Sequence, residues 1–268
     1  MDQFIDIHAH LIPQFDDGPK SLAESMEMIK LAVDQGISAV FATSHFNEYI
    51  PSVLEKEYFE KLNELVEAVK SQNLPISIYS GAEIFYHQYV PDTIKSSKVT
   101  TLGNWNQYVL LEFPMFQMPD GAEEILFKLT TEDYIPIVAH PERYIKILEK
   151  PRRLNNFIRF GGLLQVNGGS VLGHFGKDVQ KFAMQILEQQ LVHFIASDAH
   201  TPKGRSFVLK QVYKLLQGQI PEDYLKKLLL ENQQQIILKN PLKPVEIPEP
   251  ADSGFFNMIR KKLKTPFA

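Results

Sequence analysis

One pattern recurs along this chain and constrains its fold more than any other: a short, continuous apolar run closed by His, Asp or Glu. The sequence opens with it, in Phe4-Ile5-Asp6-Ile7-His8-Ala9-His10, followed closely by Asp16-Asp17-Gly18. It returns at Ala39 to His45, Ile76 to Glu83, Tyr108 to Glu112, Ile135 to His140, and Val192 to Asp198 and His200. Runs of this kind are strands that a parallel sheet buries on both faces. The polar residues sit at the C-terminal strand ends, where parallel α/β folds gather their sites.

Between the runs the periodicity is helical. Ser21-Leu22-Ala23-Glu24 is a capping-box pattern, with Leu22, Met26, Ile29 and Val33 on one face of a helix that stops before Gly36. Further helices are expected over about 53–69, 121–131, 177–190, 206–216 and 221–238, and a helical region restarts at Pro151 and ends at Gly161-Gly162. Later strands are expected at about 37–44, 76–79, 108–111, 135–139, 163–166 and 192–196, with Gly168-Gly169-Ser170 as a loop too short to cradle a phosphate. The resulting alternation predicts an α/β fold, a parallel barrel or barrel-like sheet of seven strands.

A chain of 268 residues with 44% hydrophobic content can bury one sizeable core, and a net charge of −4 supplies no basic field for nucleic acid. Cysteine is absent, which removes disulfides, thiolate metal sites and any cysteine nucleophile. With no leader pattern and no apolar run long enough to span a bilayer, a cytoplasmic location is expected.

His8, His10, Asp17, His45, Glu83, Glu112, His140, Asp198 and His200 form the candidate ligand set. These five imidazoles and four carboxylates exceed what one ion can use, so two or three ions sharing a carboxylate are expected. Mixed N/O donors suit manganese, iron or zinc, and the carboxylate share favours manganese (Mn2+). Adjacent divalent ions activate water and clamp the oxygens of an in-line displacement, the chemistry of phosphoester hydrolysis. Arg143 and Arg205, on loops of the same face, are suited to binding phosphate oxygens bidentately. Arg143, Arg205, Asp198 and His200 are the expected catalytic positions. His87, His174 and His193 fall outside the pattern and read as ordinary packed or surface histidines, and Asp6 and Asp16 as supporting residues. The loop Phe113 to Met118 offers apolar side chains that either cover a substrate ring or pack locally.

Ile5-Asp6-Ile7-His8-Ala9-His10, Asp16-Asp17-Gly18, Ala42-Thr43-Ser44-His45, Gly81-Ala82-Glu83, Leu111-Glu112-Phe113-Pro114, Ala139-His140-Pro141-Glu142-Arg143-Tyr144 and Ser197-Asp198-Ala199-His200 together resemble the polymerase and histidinol phosphatase (PHP) superfamily. Within it the chain is similar to the CpsB/CapC group of bacterial manganese-dependent protein tyrosine phosphatases of capsule and exopolysaccharide synthesis. The resemblance implies a distorted seven-stranded barrel with a trinuclear site. His8, His10, Glu83 and Asp198 would hold one ion, Glu83, Glu112 and His140 a second, and Asp17, His45 and His200 a third, with Arg143 and Arg205 on the phosphate. Ser44-His45-Phe46 stands where the family often has Pro-His-His, so one loop histidine is missing.

The implied partner is a phosphotyrosine protein, a membrane-associated tyrosine kinase. A small-molecule phosphatase acting on a substrate such as histidinol phosphate, or a non-catalytic metal-bound partner of the kinase, are the competing readings. A domain over 1–240 is followed at 241–268 by a Pro-rich linker and a basic amphipathic tail. There, Phe255, Phe256 and Ile259 interleave with Arg260, Lys261, Lys262 and Lys264, composition suited either to docking on the domain or to a weak membrane-surface contact.

Overall fold

Each apolar run becomes a strand of one parallel sheet. The computed structural model describes residues 1, 3–47 and 50–247, and in it seven strands pair in chain order. They are β1 (Phe4–Ala9), β2 (Ile37–Phe46), β3 (Ser77–Phe85), β4 (Tyr108–Glu112), β5 (Ile135–Ala139), β6 (Leu163–Asn167) and β7 (Phe194–Ala196). Beyond the end of β7 the chain meets β1 again. The Asp198 N–H donates to the His8 carbonyl at 2.8 Å, and the His10 N–H to the Ala199 carbonyl at 2.7 Å. The sheet is therefore a nearly closed, TIM-like α/β barrel.

Side chains alternate across this sheet with a period of two, and the two faces collect two apolar clusters. Val40, Val109, Leu111, Val138, Leu164 and Ile195 face outward and pack with helix residues such as Met28, Leu62, Leu126 and Phe157. Ile5, Ile7, Phe41, Leu110, Ile137, Leu163 and Phe194 form the second cluster, which Ile236 of the last helix joins.

β1 breaks the alternation once. Asp6 pairs with Val40 and Ala9 with Ala42, so three steps along β1 match two along β2, a β-bulge. Ile7 belongs to the inner cluster and Ala9 to the outer one, so the side-chain parity flips between them. The flip allows a strand whose lower residues fill the barrel to turn both His8 and His10 toward its mouth.

Several local expectations are revised. β3 runs to Phe85, six residues past Tyr79, because the small residues Ser80, Gly81 and Ala82 pair in register with Ala42, Thr43 and Ser44 of β2. Gly168–Val171 is a helical turn, not a loop. The Ser21 side chain caps the Glu24 N–H as expected, but Glu24 reaches back to the N–H of Lys20. The final helical stretch is divided by a π-helical turn at Lys227–Glu231. Of the segment from 241 onward, Leu242 packs on the inner cluster and Val245 and Ile247 on the outer one. Arg260, Lys261, Lys262, Lys264 and their aromatic neighbours lie outside the described residues.

Candidate metal centre

Strand register carries the site. β2 and β3 pair with His45 opposite Glu83, and β3 and β4 with Phe85 opposite Glu112. His140 and Asp198 follow the ends of β5 and β7 in left-handed backbone conformations, φ 31° and 52°. Non-glycine residues seldom adopt that region, and when held there they mark sites where geometry outweighs local comfort.

All nine candidate ligands converge on this face. Glu83 is central: Oε2 lies 3.2 Å from His8 Nε2, 3.4 Å from His10 Nε2 and 3.1 Å from His45 Nδ1, while Oε1 lies 3.0 Å from His140 Nε2. Glu112 is 3.7 Å from His140 and 3.9 Å from His45. Asp17, 57% exposed, closes the outer side, 3.2 Å from His200 and 3.6 Å from His45.

A metal fits these residues. Three groups bring their ligand atoms within 4.8 Å of one another: His10, Asp17, His45 and His200; His8, His10 and Asp198; His45, Glu83 and Glu112. They overlap the sets implied by the family resemblance and share members, as adjoining ions require. Glu83 Oε2 and His200 Nε2 are buried yet make no hydrogen bond of good geometry, which suits atoms aimed at an ion.

The cluster's charges are strongly interdependent. Burial opposes the charge on His8 and His10, but carboxylates outweigh it, Glu83 and Asp198 raising His8 to about 9, and Asp16 and Glu83 raising His10 to about 10. Burial also works against ionised Glu83, yet the surrounding imidazoles hold its pKa well below the usual range. Burial and then the Glu83 charge push Glu112 up to about 7. Burial, reinforced by His10, pushes His200 down to about 4 and keeps it neutral, the state in which imidazole binds metal.

Asp198 divides its two oxygens. Oδ1 faces the imidazoles, 3.4 Å from His8, 3.6 Å from His10 and 3.5 Å from His200. Oδ2 accepts from Arg205 at 2.7 Å, Arg143 at 3.2 Å and Asn167 at 2.6 Å. Both arginines thus stand at the edge of the cluster.

A supporting layer fixes the ligands. Asp16 Oδ2 lies 2.9 Å from His10 Nδ1 and also accepts the His45 N–H at 3.0 Å, so one carboxylate positions two imidazole residues. Gln165 Oε1 lies 3.0 Å from His8 Nδ1. Glu142, raised to about 7 by burial, accepts from the Asn167 N–H and the Ser170 hydroxyl. Gln165, Asn167 and Glu142 were not anticipated, although two amides in the otherwise apolar run Leu163-Leu164-Gln165-Val166-Asn167 were a legible signal.

The remaining candidates fall elsewhere. His193 is buried and accepts the Leu164 N–H. His174 is exposed on the loop after the Gly168–Val171 turn. In the loop after Glu112, Phe113 and Met118 are buried in the core, whereas Phe116 is 74% exposed.

The sequence model for capsular polysaccharide synthesis proteins of the CpsB/CapC type matches residues 4–238. The chain is 34% identical to the tyrosine-protein phosphatase YwqE of Bacillus subtilis over 247 residues, covering 90% of this chain and 96% of that protein. It is 30% identical to the tyrosine-protein phosphatase CpsB of Streptococcus pneumoniae over 243 residues, 87% of this chain and 98% of that one. A structure from a study of YwqE and pneumococcal CpsB, described as metal-dependent tyrosine phosphatases, superposes with a TM-score of 0.81 at 32% identity, covering 91% of this chain and all of that one. A histidinol phosphate phosphatase of Lactococcus lactis, at TM-score 0.52 and 16% identity over 84% of this chain and 93% of that one, shares the fold.

Proposed function

This chain belongs to the CpsB/CapC family of capsular polysaccharide synthesis proteins, and from that membership we infer that it is a metal-dependent protein tyrosine phosphatase, a hydrolase of phosphoric monoesters. The observation that carries the reading is the divided role of Asp198, which joins a buried imidazole and carboxylate cluster to two guanidinium groups. In a chain with no cysteine nucleophile, phosphoester hydrolysis would draw on both halves: a metal centre for the attacking water and cationic forks for the phosphoryl oxygens.

His8, His10, Asp17, His45, Glu83, Glu112, His140, Asp198 and His200 are the proposed ligands, and two or three manganese ions the proposed occupants. When bound, such ions lower the pKa of water and offset charge on the phosphoryl oxygens. The protein's own groups do the rest. Arg143 and Arg205 hold the phosphoryl oxygens with planar forks that an ammonium cannot reproduce. Asp198 keeps those forks pointed inward. Asp16 and Gln165 fix the imidazole rings of His10 and His8 through the nitrogen turned away from the cluster. Because a phenolate has a pKa of about 10, its departure asks less of a general acid than that of a serine alkoxide.

The proposed substrate is phosphotyrosine on a tyrosine kinase of capsule or exopolysaccharide synthesis at the inner face of the membrane, which places the enzyme in the cytoplasm. No helix among the described residues is long and apolar enough to cross a membrane. The decisive experiment is turnover by the manganese-loaded protein of a phosphotyrosine peptide beside histidinol phosphate, with Arg143→Lys and Arg205→Lys as controls. Preference for the peptide, with a raised KM in both variants, is the expected result. Preference for histidinol phosphate would shift the reading to a small-molecule phosphatase, and no turnover of either to a non-catalytic partner.

A further inference from the structure

A cleft of about 360 Å3 opens beside Asp198 and Arg205, walled by Gly169, His174, Phe175, Ser206 and Val208. Small-molecule sites span about 300–1,000 Å3, so a cleft of this size suits one ring rather than an extended ligand. Of the nine proposed ligands only Asp198 borders it, and the wall formed by Gly169, His174, Phe175, Ser206 and Val208 has no part in the ligand set or its supporting layer.

The wall is built around Phe175. Its ring is half-buried, and the Arg143 guanidinium lies over it, 4.3 Å from the centroid. A side chain at Gly169 would bring a Cβ within 3.0 Å of the Phe175 ring and 3.4 Å of His174 Nδ1, so glycine there makes room for the aromatic loop. Gly173 and Gly176, at φ 84° and 97°, bracket that loop, and the His174 N–H is tied to the Gly169 carbonyl at 2.9 Å. Arg205 lines this space and Arg143 lies against its Phe175 wall, so a phosphoryl group held by the two guanidinium groups would lie beside it.

We propose that the cleft receives the phenol ring of the substrate's phosphotyrosine, with Phe175 the aromatic surface it packs on and the residue that sets preference for aryl over alkyl esters. The proposal rests on the phosphatase reading above and names its leaving-group subsite. The arrangement explains how one structure holds both ends of the substrate: Arg143 contacts Phe175 on one side and Asp198 on the other, so ring and phosphate are positioned by adjoining groups.

The test uses the metal-loaded full chain, with phenylphosphonate and methylphosphonate as competing ligands measured by calorimetry and by inhibition. Phe175→Ala weakens phenylphosphonate binding about tenfold and leaves methylphosphonate within about twofold, the scale of a lost ring contact. Ser206→Phe, which fills the cleft without removing Phe175, has the same selective effect. The ratio of kcat/KM for phosphotyrosine over phosphoserine peptides falls in step, chiefly through KM. Equal weakening of both phosphonates by Phe175→Ala would mean that Phe175 acts only by supporting Arg143, and would overturn the proposal. So would selectivity lost in Phe116→Ala but kept in Phe175→Ala, since the ring would then lie against the loop after Glu112. A wild type that binds neither phosphonate and hydrolyses no phosphotyrosine overturns the phosphatase reading itself. One that hydrolyses phosphotyrosine while Phe175→Ala retains full discrimination overturns the cleft alone.

Discussion

Both carboxylate oxygens of Asp6 accept the backbone N–H of Ser197, at 3.1 and 3.0 Å, so the first strand holds the end of the last. Oδ1 also takes the His8 N–H at 3.1 Å, within the bulge that turns His8 and His10 toward the barrel mouth. Asp6→Ala leaves two buried N–H groups without their acceptor and is expected to cost about 3 kcal/mol, whereas Asp6→Asn, which retains one carbonyl oxygen, should cost about half as much. Urea unfolding of the metal-free variants measures both. Equal, near-wild-type midpoints would show that barrel closure does not depend on this carboxylate.

Glu83 approaches four imidazoles with its two oxygens. Bridging is the role that geometry suggests, so Glu83→Ala should lose more than one ion per chain while a ligand at the edge, such as Asp17→Ala, loses no more than one. Elemental analysis after manganese loading decides the matter. A wild type carrying one ion or fewer would rule out a cluster.

Asp16 is expected to matter nearly as much without touching metal. An amide in its place keeps one acceptor but loses the charge that favours the His10 contact, so Asp16→Asn should weaken metal binding by about 10–100-fold. Titration with a competing chelator reads this directly. Unchanged affinity would reduce Asp16 to a turn residue.

Much of this arrangement is legible in the sequence alone. Polar residues closing apolar runs, as at His45 and Asp198, stand out because burial otherwise excludes them, and parallel pairing then brings the strand ends together. What was not visible depends on contacts between distant segments. The β1 bulge arises from register against β2 and leaves no mark in Asp6-Ile7-His8-Ala9. The length of β3 was hidden because Ser80, Gly81 and Ala82 have little strand preference of their own and are held by neighbours. The left-handed turns at His140 and Asp198 are imposed by the site, against ordinary preferences at non-glycine positions.

His193 predicts an acid sensitivity separate from the imidazole and carboxylate cluster. Burial pushes its pKa from 6.5 down to about 4, with the Lys243 backbone opposing the shift. A histidine depressed in the folded state contributes stability that is fully present above the unfolded value and lost as pH falls. Between pH 6.5 and 4 the loss should reach about 3 kcal/mol. His193→Asn, which keeps an acceptor for the Leu164 N–H, should flatten the dependence of unfolding free energy on pH in that window. Parallel curves for variant and wild type would assign the acid sensitivity to other groups.

The position of the C-terminal cut separates a docked segment from a proposed recruiting one. The Tyr108 hydroxyl donates to the Asn240 carbonyl at 2.5 Å and accepts the Leu242 N–H at 2.9 Å, while Leu242, Val245 and Ile247 are half-buried against the two apolar clusters. A chain ending at Asn240 loses the Leu242 hydrogen bond and the packing of Leu242, Val245 and Ile247, and should be less stable by about 2–4 kcal/mol. A chain ending at Ile247 keeps them and should melt and turn over phosphotyrosine peptide like the full protein. It lacks Arg260, Lys261, Lys262 and Lys264, which near an anionic surface would contribute about 1 kcal/mol each. The expected consequence is loss of binding to phosphatidylserine vesicles at low salt with activity intact. Vesicle binding that survives the cut at Ile247 would place any membrane contact on the barrel, and lowered turnover would make the removed residues part of the catalytic unit.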